Sequence, residues 1–142
     1  MVAGPTPYRT NEASFTIEAQ FTDESVNVFT GQAPDFENTS LVITRVRPDS
    51  PDVQAYADEQ MAIFRGTFPD YHLLKSANTQ AGGVECREHA FKWRSQRGTL
   101  YQWQLYMPIG GIIVVATFSA LNQVTDRHRA TIQAFVQSLK LE

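Results

Sequence analysis

The side chains able to do chemistry are few in this chain, and they lie apart. The three histidines are His72, at the start of one expected strand, His89, inside another, and His128, on the first turn of the last expected helix. None shares a ligand spacing with the single cysteine, Cys86, so no metal site is expected. Cys86 also lacks a neighbouring base or helix N-terminus to hold it as thiolate, and reads as a core or half-exposed thiol. Glu85 and Glu88 stand three apart on a strand and point to opposite faces, which excludes a carboxylate pair. Asp58 and Glu59 are neighbours on a helix, where adjacent positions splay apart into solvent. Gly82-Gly83 and Gly110-Gly111 are isolated pairs that read as turns, and no GxSxG, HExxH, GxGxxG or P-loop string occurs. These residues assemble no nucleophile, base and stabiliser set, so neither catalysis nor a cofactor is expected.

Composition narrows the partners further. The 142 residues suffice for one domain with a substantial core, and a 42% apolar, 11% aromatic content is that of a globular chain. Twelve Lys+Arg against 15 Asp+Glu give a net charge of -3, without the clustered positive excess that nucleic acid binding needs. The nearest cluster, Arg87, Lys92, Arg94 and Arg97, is interrupted by Glu85 and Glu88 and reads as a solvated strand face. One cysteine allows no internal disulfide, which fits a reducing compartment. Residues 1–10 lack a charged segment followed by an apolar one, so no signal peptide is expected and the location is expected to be cytoplasmic. The longest apolar run, 112–116, is far too short to span a bilayer, so no stable membrane insertion is expected.

Periodicity places these residues on elements. Residues 1–12, with Pro5 and Pro7, read as a loose leader. Phe15, Ile17 and Ala19 alternate as a half-buried strand over 14–20; further strands are expected over 25–29 and 40–46, with a loop over 31–38 between them. Ser50 is the expected N-cap and Pro51 the first residue of a helix running to about Phe64. Strands over 71–79, 84–94, 99–107 and 112–120 follow, joined by short turns that make them antiparallel neighbours. A last helix over 125–139 carries Ile132, Phe135, Val136 and Leu139 on one face. The expected fold is α+β: an antiparallel six- to seven-stranded sheet with two main helices packed on it.

The sheet's second face has an unusual composition. Leu41 and Ile43 form a core row, whereas Ser40, Val42 and Thr44 point the other way. Val26 and Val28 share a face, as do Gln102, Gln104 and Tyr106, opposite Tyr101, Trp103 and Leu105. Alternation alone describes an ordinary solvent-facing sheet; the mixed surface also suits a helical ligand of mixed polarity. On the first helix Gln60 falls near the centre of the stripe of Val53, Ala57 and Phe64, flanked by Tyr56 and Met61. Its amide can find partners inside the fold or offer them to a bound peptide.

Several strings, taken in order, resemble one family. They are Asp23-Glu-Ser-Val-Asn-Val-Phe29, Ser40-Leu-Val-Ile-Thr-Arg45, the helix with Tyr56 and Gln60, Phe68-Pro-Asp-Tyr-His-Leu-Leu74, and the meander with Trp93 and Gln102-Trp-Gln104. Over about Ser14 to Leu139 the chain resembles the DcrB-like family, and within it the Eag-type chaperones of type VI secretion effectors, of Mog/PsbP-like fold. The resemblance implies a cytoplasmic bacterial homodimer that shields the N-terminal transmembrane segments of an effector and helps load it on the secretion spike. It implies a client-binding groove of Val26, Val28, Ser40, Val42, Thr44, Gln60, Phe68, Gln102 and Gln104, with the amides bonding the client helix. The rival on the same fold is a non-catalytic regulator of the Mog-like, small-GTPase-binding type. The family's exported lipoprotein branch would need a lipobox, and residues 1–10 show none.

Overall fold

The computed structural model describes residues 6–9, 14–17, 26–32, 34–50 and 52–141. Strands β1 (Thr6–Arg9) and β2 (Ser14–Ile17) form a two-stranded antiparallel sheet of their own. This corrects the expected loose leader. Pro7 had argued against a strand there, but each strand of a two-stranded sheet keeps a free edge, where a missing N–H is tolerated. Positions 18–20 of the expected first strand lie outside the described residues.

The main sheet has six antiparallel strands in the order β3-β4-β8-β7-β6-β5. They are β3 (Asn27–Thr30), β4 (Thr39–Val46), β5 (His72–Ala81), β6 (Val84–Ser95), β7 (Gly98–Ile109) and β8 (Ile112–Leu121). The last four form a meander. Two of its turns are glycine pairs at positive φ, Gly82 at 59° with Gly83 at 83° and Gly110 at 57° with Gly111 at 82°. That geometry matches the twist of the strands it joins and is open to glycine at little cost.

Each helix covers one face of the sheet. Helix α2 (Asp126–Ser138) lays Ile132, Phe135 and Val136 over Trp103, Leu105, Ala116 and Phe118, with Leu41 and Ile43 alongside. Helix α1 (Val53–Thr67) buries Val53 and Ala57 on the opposite face, against Tyr106, Ile113 and Val115. Its N-cap is Asp52, not the expected Ser50. The Asp52 Oδ1 accepts from Gln54 N at 3.0 Å and Ala55 N at 3.2 Å, a charged acceptor at the positive helix end. The helix also runs a turn beyond Phe64, closing where Phe68 N–H donates to the Phe64 carbonyl at 2.8 Å. Pro51 lies outside the described residues.

Of the three histidines, His89 and His128 are buried and His72 is exposed. Within a capping box at α2, Thr125 N–H donates to His128 Nδ1 at 3.1 Å. The proton is thereby left on Nε2, which donates to the Asp35 carbonyl at 3.1 Å. Helix α2 is thus tied to the turn that leads into β4. His89 is fully buried beneath α1, and neither ring nitrogen has a hydrogen-bond partner among the described residues.

Candidate binding groove

Strand register defines the surface row by row. Val28 stands opposite Val42, Val42 opposite Thr117, Thr117 opposite Gln104, and Gln104 opposite His89. The next row reads Thr30, Ser40, Ser119, Gln102 and Phe91. Paired residues in a sheet share a face, so both rows lie on the α1 side. Helix α1 crosses that face obliquely. Its first turns rest on Ile113, Val115 and Tyr106, and its last on β6, where Phe64 meets Phe91 at 5.4 Å between ring centroids. The part over β3, residues 40–44 of β4 and residues 117–119 of β8 stays open. Near the ends of β6 and β7 it deepens into a depression of about 850 Å³ with Thr30, Ser40, Ser119, Leu100 and Trp93 among its walls.

The open area holds most of the residues expected for a groove. Val26 and Val28 are 56% and 61% exposed at the sheet's edge. Ser40, Val42 and Thr44 are half-buried on β4. The floor therefore alternates isopropyl and hydroxyl groups.

The amides divide into two kinds. Gln104 is buried: its Nε2 donates to Thr117 Oγ1 at 3.2 Å, and its Oε1 accepts from the Tyr106 hydroxyl at 2.6 Å. Gln102 donates to Ser119 Oγ at 3.0 Å and accepts from Trp93 Nε1 at 2.7 Å. Each keeps one N–H beyond these bonds. Gln60 is half-buried on α1, and among the described residues its amide has no hydrogen-bond partner. Phe68 does not line the trough as a free wall. It stacks on Phe64 at 4.9 Å and Trp93 at 4.3 Å and so latches the end of α1 to β6.

Sequence reading missed Thr117, Ser119 and Trp93. The alternation in Thr117-Phe118-Ser119-Ala120 carried a usable signal, since two hydroxyls share a face opposite an aromatic core row. Trp93 carried none, because its partner Gln102 is set by strand register alone.

Electrostatics under α1 favours uncharged forms. Burial raises the pKa of the Tyr106 hydroxyl, with Tyr56 and Tyr71 adding to the shift. Burial also lowers the pKa of His89, helped by the Arg87 charge and opposed by Asp58. On the other face burial pushes the Cys86 thiol up, away from the reactive thiolate. Among the described residues no cluster of three or more His, Cys, Asp or Glu is placed to hold a metal ion, and no helix is long and apolar enough to cross a membrane. The groove offers apolar contact, hydroxyls and amide donors, which is the chemistry of binding.

An α+β protein with one helix on each face of an antiparallel sheet and an open half-face is thereby defined. The DcrB family model matches residues 12–138, and the chain belongs to the DcrB family. No curated protein matches it. A solved structure from Pseudomonas aeruginosa, described as a protein of unknown function and candidate regulator, is similar over 99% of both chains, with a TM-score of 0.82 and 20% sequence identity. At that identity the likeness concerns the fold.

Proposed function

We propose that this chain is a non-catalytic chaperone that holds the N-terminal transmembrane segments of a type VI secretion effector and helps load it on the secretion spike. The observation that carries the reading is the open half-face beside α1, where exposed Val26 and Val28 border a floor of hydroxyls and partly free amides. An apolar helix in water gains roughly 25 cal/mol for each Å² of apolar area it covers. Hydroxyls and amides in the same floor match small polar groups on the client, at about 1 kcal/mol net per hydrogen bond. A purely apolar floor would hold the client without register and release it poorly.

Size supports action as a homodimer. The six steps from Ser40 to Val46 run about 20 Å at roughly 3.3 Å each, whereas a membrane-spanning helix is about 30 Å long. One open strip covers part of such a helix, and a second copy extends the cover. The chaperone acts in the bacterial cytoplasm, where the client is made, and uses no cofactor.

The test is co-expression with the N-terminal helical segment of the effector encoded beside it, followed by affinity purification and light scattering. A stable complex that keeps the segment in solution is expected. Aggregation of the segment beside a folded chain would overturn the chaperone reading and favour the Mog-like regulator.

A further inference from the structure

The open trough ends at a charge. Arg97 stands in the turn between β6 and β7 and reaches to Asn38, the residue before β4, with Nη2 2.7 Å from Asn38 Oδ1. Both residues line the depression at this end. Asn38 adopts a left-handed backbone, φ 56°, which asparagine tolerates better than most side chains. Its amide is a neutral acceptor, so the bond orients the guanidinium without cancelling the charge. Among the described residues no other side chain bonds this guanidinium, which leaves donors of its planar fork for a carboxylate. Arg94, also on the rim, is paired with Asp70 at 3.2 Å, but both side chains are more than 60% exposed, and water screens the pair. At the opposite end of β4 the face passes under the first turn of α1, where half-buried Val46 packs on the buried Ile113 and Val53.

Resting on the groove reading above, we infer that the trough senses the polarity of its occupant: Arg97, held by Asn38, takes a carboxylate from an acidic flank of the apolar helical segment. The apolar body of the segment then lies along Val28, Val42 and the hydroxyl rows, with its other end towards Val46. A cationic flank at the Arg97 end is repelled. The groove thus fixes which way the client lies, and apolar contact alone does not.

Labelled peptides with one Leu/Ala/Ser helix and an Asp-Asp, Asn-Asn or Lys-Lys flank at one end test this by fluorescence anisotropy at low salt, with the full chain. The wild type is expected to bind the Asp-flanked peptide about two- to fivefold tighter than the Asn-flanked one, as for an exposed ion pair at low salt. Arg97→Gln should abolish that preference and Arg97→Glu should reverse it towards the Lys-flanked peptide. Binding of the Asn-flanked peptide should change less than about twofold, within the scatter of a surface substitution. Equal binding of all three peptides by the wild type, or an unchanged preference in Arg97→Glu with an unchanged thermal melt, would overturn the inference while leaving the groove in place. Failure of every peptide to bind the wild type would remove the groove reading and this inference with it.

Discussion

His89 is the residue whose surroundings most constrain it. It lies fully buried on β6 beneath α1, edge-on to Tyr106 at 5.6 Å, with Asp58 at 4.0 Å and no hydrogen-bond partner among the described residues. Burial first, and then the Arg87 charge, lowers its pKa in the folded chain. Unfolded, the imidazole titrates near about 6.5. The unfolded state therefore binds the proton first as pH falls. The stability gained by keeping His89 neutral is complete above that pH and is lost as pH drops from it towards the folded pKa. Thermal melts should show a lower midpoint at pH 5 than at pH 7.5, and His89→Asn should narrow the gap. The glutamines separate on similar grounds. Gln60→Ala removes a half-buried amide that has no hydrogen-bond partner among the described residues, so stability should move by less than about 0.5 kcal/mol while client affinity falls about fivefold. Gln102→Ala strands Trp93 Nε1 and should cost about 1–2 kcal/mol in denaturant unfolding.

Among the elements, α1 decides how much of the sheet is open. It is fixed at one end by the Asp52 cap and the Val53 and Ala57 contacts, and at the other by the stack of Phe64, Phe68 and Trp93. Phe68→Ala should release the second anchor. Because Phe68 is only half-buried, the loss should be about 2 kcal/mol, below the range of a fully buried phenylalanine, and hydrogen exchange should quicken first in residues 61–67. Strand β3 carries the opposite expectation. Val26 and Val28 are exposed, so replacing both with Asp should leave the melt near that of the wild type and abolish client retention in the co-purification. Retention unchanged would show that the client does not lie along that edge.

For the whole molecule the two sheet edges differ. Strand β5 has ten residues, but its register shifts between Leu73 and Lys75, and Lys75 sits exposed at the irregularity, both devices that discourage strand addition. Strand β3 has four residues, with Val28 and Phe29 more than half exposed on its two faces. In the dimer proposed above the β3 edge is the side that gains from a second copy. Phe29→Lys should shift the mass seen by light scattering from two chains to one without lowering the melting midpoint.

Much of this architecture is legible from local pattern. Alternation and glycine turns mark the meander strands, and the apolar stripes mark both helices, because each signal depends on neighbours within a few residues. Such signals also separate Leu41 and Ile43, which pack under α2, from Ser40, Val42 and Thr44 on the other face. Local pattern misled where proline outweighed pairing, at Thr6–Arg9, and where two residues competed to cap one helix, at Ser50 and Asp52. What the sequence determined by itself is the α+β class, the chain order of the six main-sheet strands and two helices, and the faces of β4 and β7. Only the tertiary structure decided which part of the face α1 leaves open, that Gln102 and Gln104 are half-spent on Trp93 and Tyr106, and that Arg97 closes the trough on Asn38. Those contacts join residues up to 59 positions apart, and the oblique path of a helix across a sheet is set by packing that no local period records.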